Sequence, residues 1–409
     1  MNVADERMEP LEKASAQSIE ARLIRKLLAF LGNPPFEFVL WTGERISSSR
    51  TDPIGRIHIS SRETLYDILR DPPIRLGDAY SDGRVTIEGD LVALIEAVYR
   101  SAPRGAPGTL LQRTARWLQP PRSNSLAGSR QNIHHHYDIG NAFYALWLGR
   151  TMAYTCAYYP EPELELDAAQ TAKMDHVCRK LWLKPGETVV EAGFGWGALA
   201  LHMARHYGVK VKAFNIAREQ VMFARERAKA AGISTEIEYI EDDYRNISGR
   251  YDAFVSVGML EHVGVEHYPE LGRVAARVLG SNGRGLIHSI GRNRPASLNR
   301  WIEKRIFPGA YPPAMSEMMH IFEPSGLSLL DVENLRLHYA RTLRHWLELF
   351  EASSDKVRAM FDEKFIRMWR LYLSGSIAAF TSGTLQLFQI VFAPQENNAI
   401  PWTRAHLYR

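Results

Sequence analysis

Residues 187–219 constrain the fold of this chain more than any other stretch, and they read ETVVEAGFGWGALALHMARHYGVKVKAFNIARE. An apolar run at 189–192 predicts a buried strand, helical periodicity covers 198–206, and a second strand follows at 209–216. Three glycines stand between the first strand and the helix: Gly193, Gly195 and Gly197. Strand, glycine turn, helix and strand in this order are typical of a doubly wound parallel sheet. We therefore predict an α/β, Rossmann-like fold.

The turn also indicates what it would bind. Glycines let the backbone approach a nucleoside closely because they have no Cβ atom. The spacing is GxGxG rather than the GxGxxG of a dinucleotide site, and Glu191 precedes Gly193 by two positions. A cofactor with an ammonium group and no pyrophosphate suits this pattern. We expect S-adenosylmethionine.

Bulk composition restricts the class of protein. The 409 residues suffice for two or three domains of about 150 residues. The net charge of +4 does not suggest a nucleic-acid partner, which a concentrated basic stripe would. The only cysteines, Cys156 and Cys178, form no disulfide framework, so a reducing cytosol is expected. The first residues are too polar for a signal peptide, and no run of about 18 apolar residues could span a bilayer.

Composition also divides the chain into three parts. Residues 1–100 alternate short strands and helices and predict a small N-terminal α/β domain. Within them, residues 76–83 are interpreted as a turn. Residues 101–130 are rich in Pro, Gly, Ser and Arg and predict a linker. Residues 131–409 are steadily globular and are expected to form the cofactor-dependent catalytic domain.

Further strands are predicted at 237–240, 253–257 and 285–289. A parallel sheet binds its ligands at the carboxyl ends of its strands. The chemically notable residues collect at these predicted ends: Gly193, Asn215, Asp243, Glu261 and His288.

Four segments together carry a family resemblance: HHHYDIGNAFYALWLGRTMAYTCAYYP at 134–160, EAGFGWG, VGMLEHVG at 257–264 and LIHSIGR at 286–292. In order and spacing the chain resembles the cyclopropane-fatty-acyl-phospholipid synthases, relatives of the mycolic acid cyclopropane synthases. The likeness extends to AYSDGRVTIEGDL in the N-terminal part. It implies a class I methyltransferase domain preceded by a small α/β, lipid-binding-like domain.

The resemblance implies methylene transfer from S-adenosylmethionine to a cis double bond of a phospholipid acyl chain, with bound bicarbonate as the base. Bicarbonate needs donors for its oxygens and an acceptor for its proton. The implied bicarbonate ligands are Cys156, Glu261, His288, the backbone of Ile290, and Tyr339. Of these, Glu261 would be the acceptor.

The resemblance also implies the cofactor contacts. The methionine end would meet Tyr154 and Thr155, with the glycine turn beneath. Asn215 and Gln220 would contact the ribose, and Asp243 and Tyr244 would contact the adenine. Tyr137 would cover the cofactor from the N-terminal side.

Some residues depart from the family pattern. Phe194 stands where the family has cysteine, Glu191 where it has aspartate, and Asn215 where it has threonine. Ser376 occupies the position of a cysteine of some members. Two other functions remain open: a lipid C-methyltransferase that leaves a methyl branch or a methylene group, and a catalytically idle lipid-binding protein. Adjacent His134–His136 cannot all converge on one ion, so no metal is expected.

The expected partner is an unsaturated phospholipid at a membrane surface. Residues 292–307 interleave Arg and Lys with Trp, Ile and Phe, which suits phosphate and acyl chains, but an exposed helix face would look the same. We expect a cytoplasmic protein peripheral to the inner face of the membrane. A homodimer is the alternative to a monomer.

Overall fold

A computed structural model describes residues 18–48, 52–101 and 139–408 of the protein. Two β-sheets organise these residues: a seven-stranded sheet in the later part of the chain and a four-stranded sheet near its start. The mixed α/β architecture confirms the predicted fold class. Tyr137, His134–His136 and the interior of the predicted linker lie outside the described residues.

The larger sheet contains the glycine turn. Its strands are β5 (Thr188–Ala192), β6 (Lys210–Asn215), β7 (Ile237–Glu241), β8 (Tyr251–Val257), β9 (Leu279–Gly291), β10 (Leu327–Asn334) and β11 (Gln386–Pro394). Their order is β10-β11-β9-β8-β5-β6-β7, and β11 runs antiparallel to both of its neighbours. Central strands of such a sheet are covered on both faces, which explains the continuous apolar runs of β5 and β8.

The smaller sheet belongs to the N-terminal part. Its strands are β1 (Glu37–Val39), β2 (Arg45–Ser47), β3 (Gly55–Ile59) and β4 (Val85–Gly89). The accompanying helices are α1 (Ile19–Phe30), α2 (Arg62–Arg70), α3 (Pro72–Ser81) and α4 (Leu91–Ser101). The interpretation of residues 76–83 as a turn was wrong, because most of them lie in α3. A proline pair at the first two helical positions starts this helix, where the missing N–H groups cost nothing.

The next helices along the described chain are α5 (Asn141–Tyr144), α6 (Leu166–Lys180), α7 (Ala198–Tyr207), α8 (Arg218–Ala230), α9 (Tyr268–Val278), α10 (Arg300–Arg305) and α11 (Met315–Phe322). Of these, α6, α7 and α8 cover one face of the larger sheet, and α9 and α11 cover the other. On one face Val177, Met203 and Val221 join the strands in one apolar cluster. On the other face Val274 and Ile321 do the same. The sheet therefore holds its strand ends rigidly between two cores.

Three more helices, α12 (Arg336–Ala352), α13 (Ser354–Met360) and α14 (Glu363–Thr381), connect β10 to β11. Their aromatic side chains pack with those of residues 143–159 in a large cluster that includes Trp147, Trp346 and Trp369. These helices thus form a core of their own beside the sheet.

The N-terminal part docks on this helical region. The Arg367 guanidinium donates to the carbonyl oxygens of Tyr80 and Val85 at 2.6 and 2.7 Å. It also lies over the Tyr80 ring, 4.4 Å from the centroid. A second contact joins α3 to α10, where Arg300 pairs with Asp71 at 2.8 Å.

This second contact changes the interpretation of residues 292–307. Arg305 forms a two-pronged ion pair with Asp78 at 2.8 and 3.0 Å, and Trp301 is buried beside Gly77. Residues 292–307 were expected to form either a lipid phosphate site or a solvated helix face, and neither describes Arg300 and Arg305. These side chains attach the N-terminal part to the rest of the protein.

No helix in the described part of the chain combines the length and the apolar character needed to cross a bilayer.

We predict that Gly77→Ala destabilises the protein although alanine favours helices. A Cβ atom at Gly77 would lie 2.6 Å from the Trp301 ring, and overpacking of this kind costs about 1–3 kcal/mol. The matched control is Gly375→Ala in α14, where a Cβ meets nothing within 4 Å. Urea unfolding should show Gly77→Ala less stable than Gly375→Ala, and equal midpoints would contradict the tight α3–α10 contact.

Candidate active site

The glycines of the turn have different structural roles. All have positive φ, at +81°, +56° and +79° for Gly193, Gly195 and Gly197, a region that side chains with a Cβ atom rarely adopt. A Cβ on Gly195 would meet nothing within 4 Å, because it would point into an open cavity. A Cβ on Gly197 would meet the Tyr239 hydroxyl at 2.6 Å. Gly195 therefore keeps the cavity open, whereas Gly197 lets α7 pack against β7.

The cavity above the turn, here called the glycine-turn cavity, has a volume of about 780 Å³ including its open mouth. Its lining includes seven of the residues predicted for the cofactor: Tyr154, Thr155, Glu191, Gly193, Gly195, Asn215 and Gln220. Asn215 donates to the Gln220 amide oxygen at 2.8 Å, so the pair is held together at the end of β6. Phe194 also lines the cavity, with its ring 4.8 Å from that of Tyr239.

Among the described residues, three of the predicted cofactor contacts do not line this cavity: Gly197, Asp243 and Tyr244. The Asp243 carboxylate accepts from the backbone and the guanidinium of Arg245, at 3.0 and 3.2 Å. The Arg245 guanidinium also covers the Tyr244 ring. Their contact with the adenine stays a prediction.

Glu191 has a free acceptor atom that could bind a cation. It is buried, and its Oε2 atom has no hydrogen-bond partner among the described residues. Burial raises the pKa of its carboxyl to about 8, an effect that the Lys173 ammonium group partly opposes. A bound ammonium group would supply the missing partner and favour the ionised form.

Sequence reasoning missed Lys173. This lysine lies on α6 and lines the glycine-turn cavity, where its Nζ donates to the Thr155 hydroxyl at 2.8 Å. Burial lowers its pKa to about 8, although Cys156 and Glu191 act in the opposite sense. The sequence signal for Lys173 was its spacing, since it follows Leu166 and Gln170 and precedes Val177 on one face of a helix. The structure buries all four residues.

A second cavity, here called the apolar cavity, measures about 840 Å³ with its mouth. Its wall is largely hydrophobic and includes Leu298, Ile302, Phe307, Leu343, Leu385 and Leu387. All five residues predicted to bind bicarbonate also line it: Cys156, Glu261, His288, Ile290 and Tyr339. The sheet and the helices thus bring together residues that are far apart in sequence.

The two cavities meet at a common wall. Tyr154, Thr155, Gly258 and His262 line both of them. The Tyr154 hydroxyl is 2.9 Å from that of Tyr372, which lines the apolar cavity. Burial lowers the pKa of His262 to about 4, so its ring is neutral at physiological pH. The two cavities therefore lie side by side, and the residues that line both of them carry no positive charge at physiological pH.

Glu261 and His288 line the apolar cavity, and each has one polar side-chain atom without a hydrogen-bond partner among the described residues. Glu261 Oε1 accepts from the Ile290 amide at 2.6 Å, whereas Oε2 has no partner among the described residues. Burial raises the pKa of Glu261 to about 7. His288 Nδ1 lies 3.1 Å from the Gln389 amide nitrogen, and His288 Nε2 has no partner among the described residues. In the tautomer that accepts from this nitrogen, Nε2 carries the proton. Burial holds the pKa of His288 well below its usual value.

The other residues predicted to bind bicarbonate contact protein groups in this structure. The Ile290 amide is not open to a ligand, because it donates to Glu261. The Cys156 thiol donates to the Ala157 carbonyl at 3.1 Å, and burial raises its pKa, so it is not a thiolate. Tyr339 is buried on α12 with its ring against Phe380. Ser376 also lines the apolar cavity.

Comparisons with known proteins agree with this geometry. Residues 124–390 match the family described as mycolic acid cyclopropane synthetase, and residues 23–105 match a domain of unknown function (DUF7884). A tuberculostearic acid methyltransferase of Mycobacterium tuberculosis is 35% identical over 93% of this chain and 92% of its own. A cyclopropane-fatty-acyl-phospholipid synthase of Escherichia coli (strain K12) is 32% identical over 84% of this chain and 89% of its own.

One solved structure, a mycolic acid cyclopropane synthase complexed with SAH and CTAB, superposes with a TM-score of 0.61 at 27% identity. It covers 64% of this chain and 97% of its own.

We predict that Gly195→Val abolishes binding of S-adenosylhomocysteine, because the branched side chain would project into the glycine-turn cavity. The matched control is Gly232→Val, where the glycine also has a positive φ, +70°, and a Cβ likewise meets nothing within 4 Å. Gly232 does not line the cavity. Calorimetry should find no binding to folded Gly195→Val and ordinary binding to Gly232→Val. Equal affinities would contradict this placement of the cofactor.

We also predict a pH signature for Glu191. Between pH 4.5 and about 8 the folded protein keeps this proton while the unfolded chain releases it. Stability of the ligand-free protein should therefore fall as pH rises, by up to about 1.4 kcal/mol per pH unit. Glu191→Gln cannot titrate and lacks this contribution. Urea unfolding across this window should show the variant gaining on the wild type as pH rises, whereas parallel curves would contradict the buried, protonated carboxyl.

Proposed function

Since the chain belongs to the mycolic acid cyclopropane synthetase family, we propose that it converts the cis double bond of a membrane phospholipid acyl chain into a cyclopropane ring. The chain is an S-adenosylmethionine-dependent methyltransferase. The observation that carries the finer proposal is the common wall. One cavity holds a buried carboxylate and a glycine turn, the other is apolar with a polar group of residues, and the two meet at Tyr154, Thr155, Gly258 and His262.

The residues of the glycine-turn cavity fit S-adenosylmethionine. Gly195 leaves space that a Cβ would fill, and the unpartnered Glu191 Oε2 can accept from an ammonium group. Asn215 and Gln220 offer amide groups for the ribose. When bound, the cofactor supplies an electrophilic methyl group on a sulfonium ion.

The apolar cavity suits an acyl chain. Burial of hydrocarbon stabilises binding by about 25 cal/mol for each Å² removed from water. Leucine, isoleucine and phenylalanine side chains of the wall would exclude water around the double bond. Positive charge that develops on the chain would face neutral His262 and the rings of Tyr154 and Tyr372 rather than a cation.

We propose bicarbonate as the base that removes the proton when the ring closes. His288 Nε2 can donate to an anion, and Glu261 Oε2 can accept the proton that bicarbonate carries. Ile290 and Cys156 would have to exchange their present partners to take part. With a pKa of about 7, Glu261 would be one candidate for the base if no bicarbonate bound, and His288 would be the other.

We propose an unsaturated phospholipid at the inner membrane surface as the substrate, and a homodimer stays a proposal. Exposed Arg294 and Lys304, close in sequence to Leu298 and Ile302 of the apolar cavity, are the basic residues we assign to the lipid phosphate. We also propose the division into an N-terminal domain (1–100), a linker (101–130) and a catalytic domain (131–409).

The runner-up is a lipid C-methyltransferase, which the name of the mycobacterial relative favours. Lipid mass spectrometry after expression in a host without such an enzyme separates the products. A ring adds one CH₂ to the acyl chain and resists mild hydrogenation. A methylene product has the same mass but takes up hydrogen, and a methyl branch adds CH₂ and two further hydrogens. Unchanged lipids from a folded, cofactor-binding protein would overturn the proposed activity.

For the base, we predict that Glu261→Gln lowers turnover by roughly 100-fold or more, because the variant loses the acceptor that holds bicarbonate and a general base usually contributes this much. Its affinity for S-adenosylhomocysteine should barely change, because Glu261 does not line the glycine-turn cavity. Wild-type turnover should fall in bicarbonate-depleted buffer and recover when bicarbonate is added back. Full activity under verified exclusion of carbon dioxide would overturn bicarbonate and leave Glu261 or His288 as the base.

A further inference from the structure

We propose that Lys173 positions the cofactor by binding the carboxylate of its methionine part, while Glu191 binds the ammonium group of the same part. This inference rests on the proposed use of S-adenosylmethionine. It assigns a role to a residue that the motifs and the bicarbonate set leave unused.

The first observation is where the Lys173 side chain lies. The residue is 3% exposed, yet it lines the glycine-turn cavity together with Glu191. Its ammonium group has three N–H donors. Among the described residues the Thr155 hydroxyl accepts one of them, at 2.8 Å. Donor capacity therefore remains beside the space where a ligand would lie.

The second observation is the unpartnered carboxyl group of Glu191, which lines the same cavity. Glu191 is 2% exposed, and its Oε2 has no partner among the described residues. Buried polar groups that lack partners are costly, so a ligand that satisfies them gains affinity. An α-amino acid carries one ammonium and one carboxylate group. A bound ammonium group would favour the ionised form of Glu191, so Lys173 and Glu191 would then offer opposite charges in one cavity.

Charge balance favours this role for the lysine. A buried ammonium group beside a sulfonium ion would repel the cofactor unless an anion lay between or beside them. The methionine carboxylate is the anion that the cofactor itself brings. Lys173 also acts electrostatically on Cys156 and His288, so the alternative is that its charge retains bicarbonate. The carboxylate is favoured because Lys173 lines the glycine-turn cavity and does not line the apolar cavity.

The experiment compares two ligands that differ only in this carboxylate, S-adenosylhomocysteine and its decarboxylated analogue. Calorimetry gives both dissociation constants for the wild type and for Lys173→Met. The wild type should prefer S-adenosylhomocysteine. Lys173→Met should weaken S-adenosylhomocysteine binding by roughly 10- to 100-fold, the usual worth of a charged hydrogen bond. It should leave the affinity for the analogue nearly unchanged, so the preference disappears.

The matched control is Lys180→Met. Lys180 is a buried lysine on the same helix, but it pairs with Glu333 at 2.6 Å and does not line the cavity. This variant should keep the preference even if its melting temperature falls. Lys173→Gln, which retains donors without the charge, should also lose most of the preference and serves if Lys173→Met does not fold.

Three outcomes would overturn the assignment. An equal loss of affinity for both ligands would mean that Lys173 acts only by holding the Thr155 side chain in place. If Lys173→Met kept the preference for S-adenosylhomocysteine but changed how turnover depends on bicarbonate, the Lys173 charge would act on the apolar cavity instead. Failure of the folded wild type to bind S-adenosylhomocysteine at all would instead refute the proposed function, and this inference with it.

Discussion

The close approach of two neighbouring strand ends is the constraint on which the rest of the site depends. Strands β5 and β8 pair in parallel, with Glu191 opposite Val255, so their carboxyl ends open at the same edge. A Cβ on Gly193 would lie 2.9 Å from Met259, and one on Gly258 would lie 2.8 Å from Thr155. Larger residues would push the turns apart. The two cavities share a wall because these two glycines let the backbone segments touch.

Electrostatics give that shared region its character. Burial favours the uncharged forms of Glu261, His262 and His288, so an apolar ligand meets little charge in the second cavity. The first cavity differs, since Lys173 and Glu191 lie within the same wall and each lessens the other's shift. A zwitterionic group on one side and hydrocarbon on the other would each find a suitable surface.

The sequence predicted what local patterns encode. The strand, glycine turn and helix of residues 187–219 appear in the structure within one or two residues, because apolar periodicity and glycine conformation are local properties. The residues of the bicarbonate prediction were located by motif, and their convergence on one cavity followed from the sheet. Their hydrogen-bond partners could not be predicted, as the engagement of the Ile290 amide by Glu261 shows.

Other features needed tertiary contacts. Strand β10 joins the sheet through antiparallel pairing with β11, and its alternation is weak because much of it is only half buried. The ion pairs of Arg300 and Arg305 involve acidic residues more than 200 positions away. Charge alone could not distinguish a lipid headgroup from Asp71 and Asp78. Asp243 and Tyr244 were placed by motif, and their contacts with the Arg245 guanidinium could not be predicted from the sequence.

Helix α10 has a consequence for how such an enzyme can diversify. Trp301 faces the N-terminal part, whereas its neighbour Ile302 lines the apolar cavity and not the glycine-turn cavity. Mutations that shift this helix would therefore reshape the apolar cavity without altering the residues of the glycine turn. Lipid preference would then drift over generations through surface changes in α3, while the residues around the glycine turn are inherited unchanged.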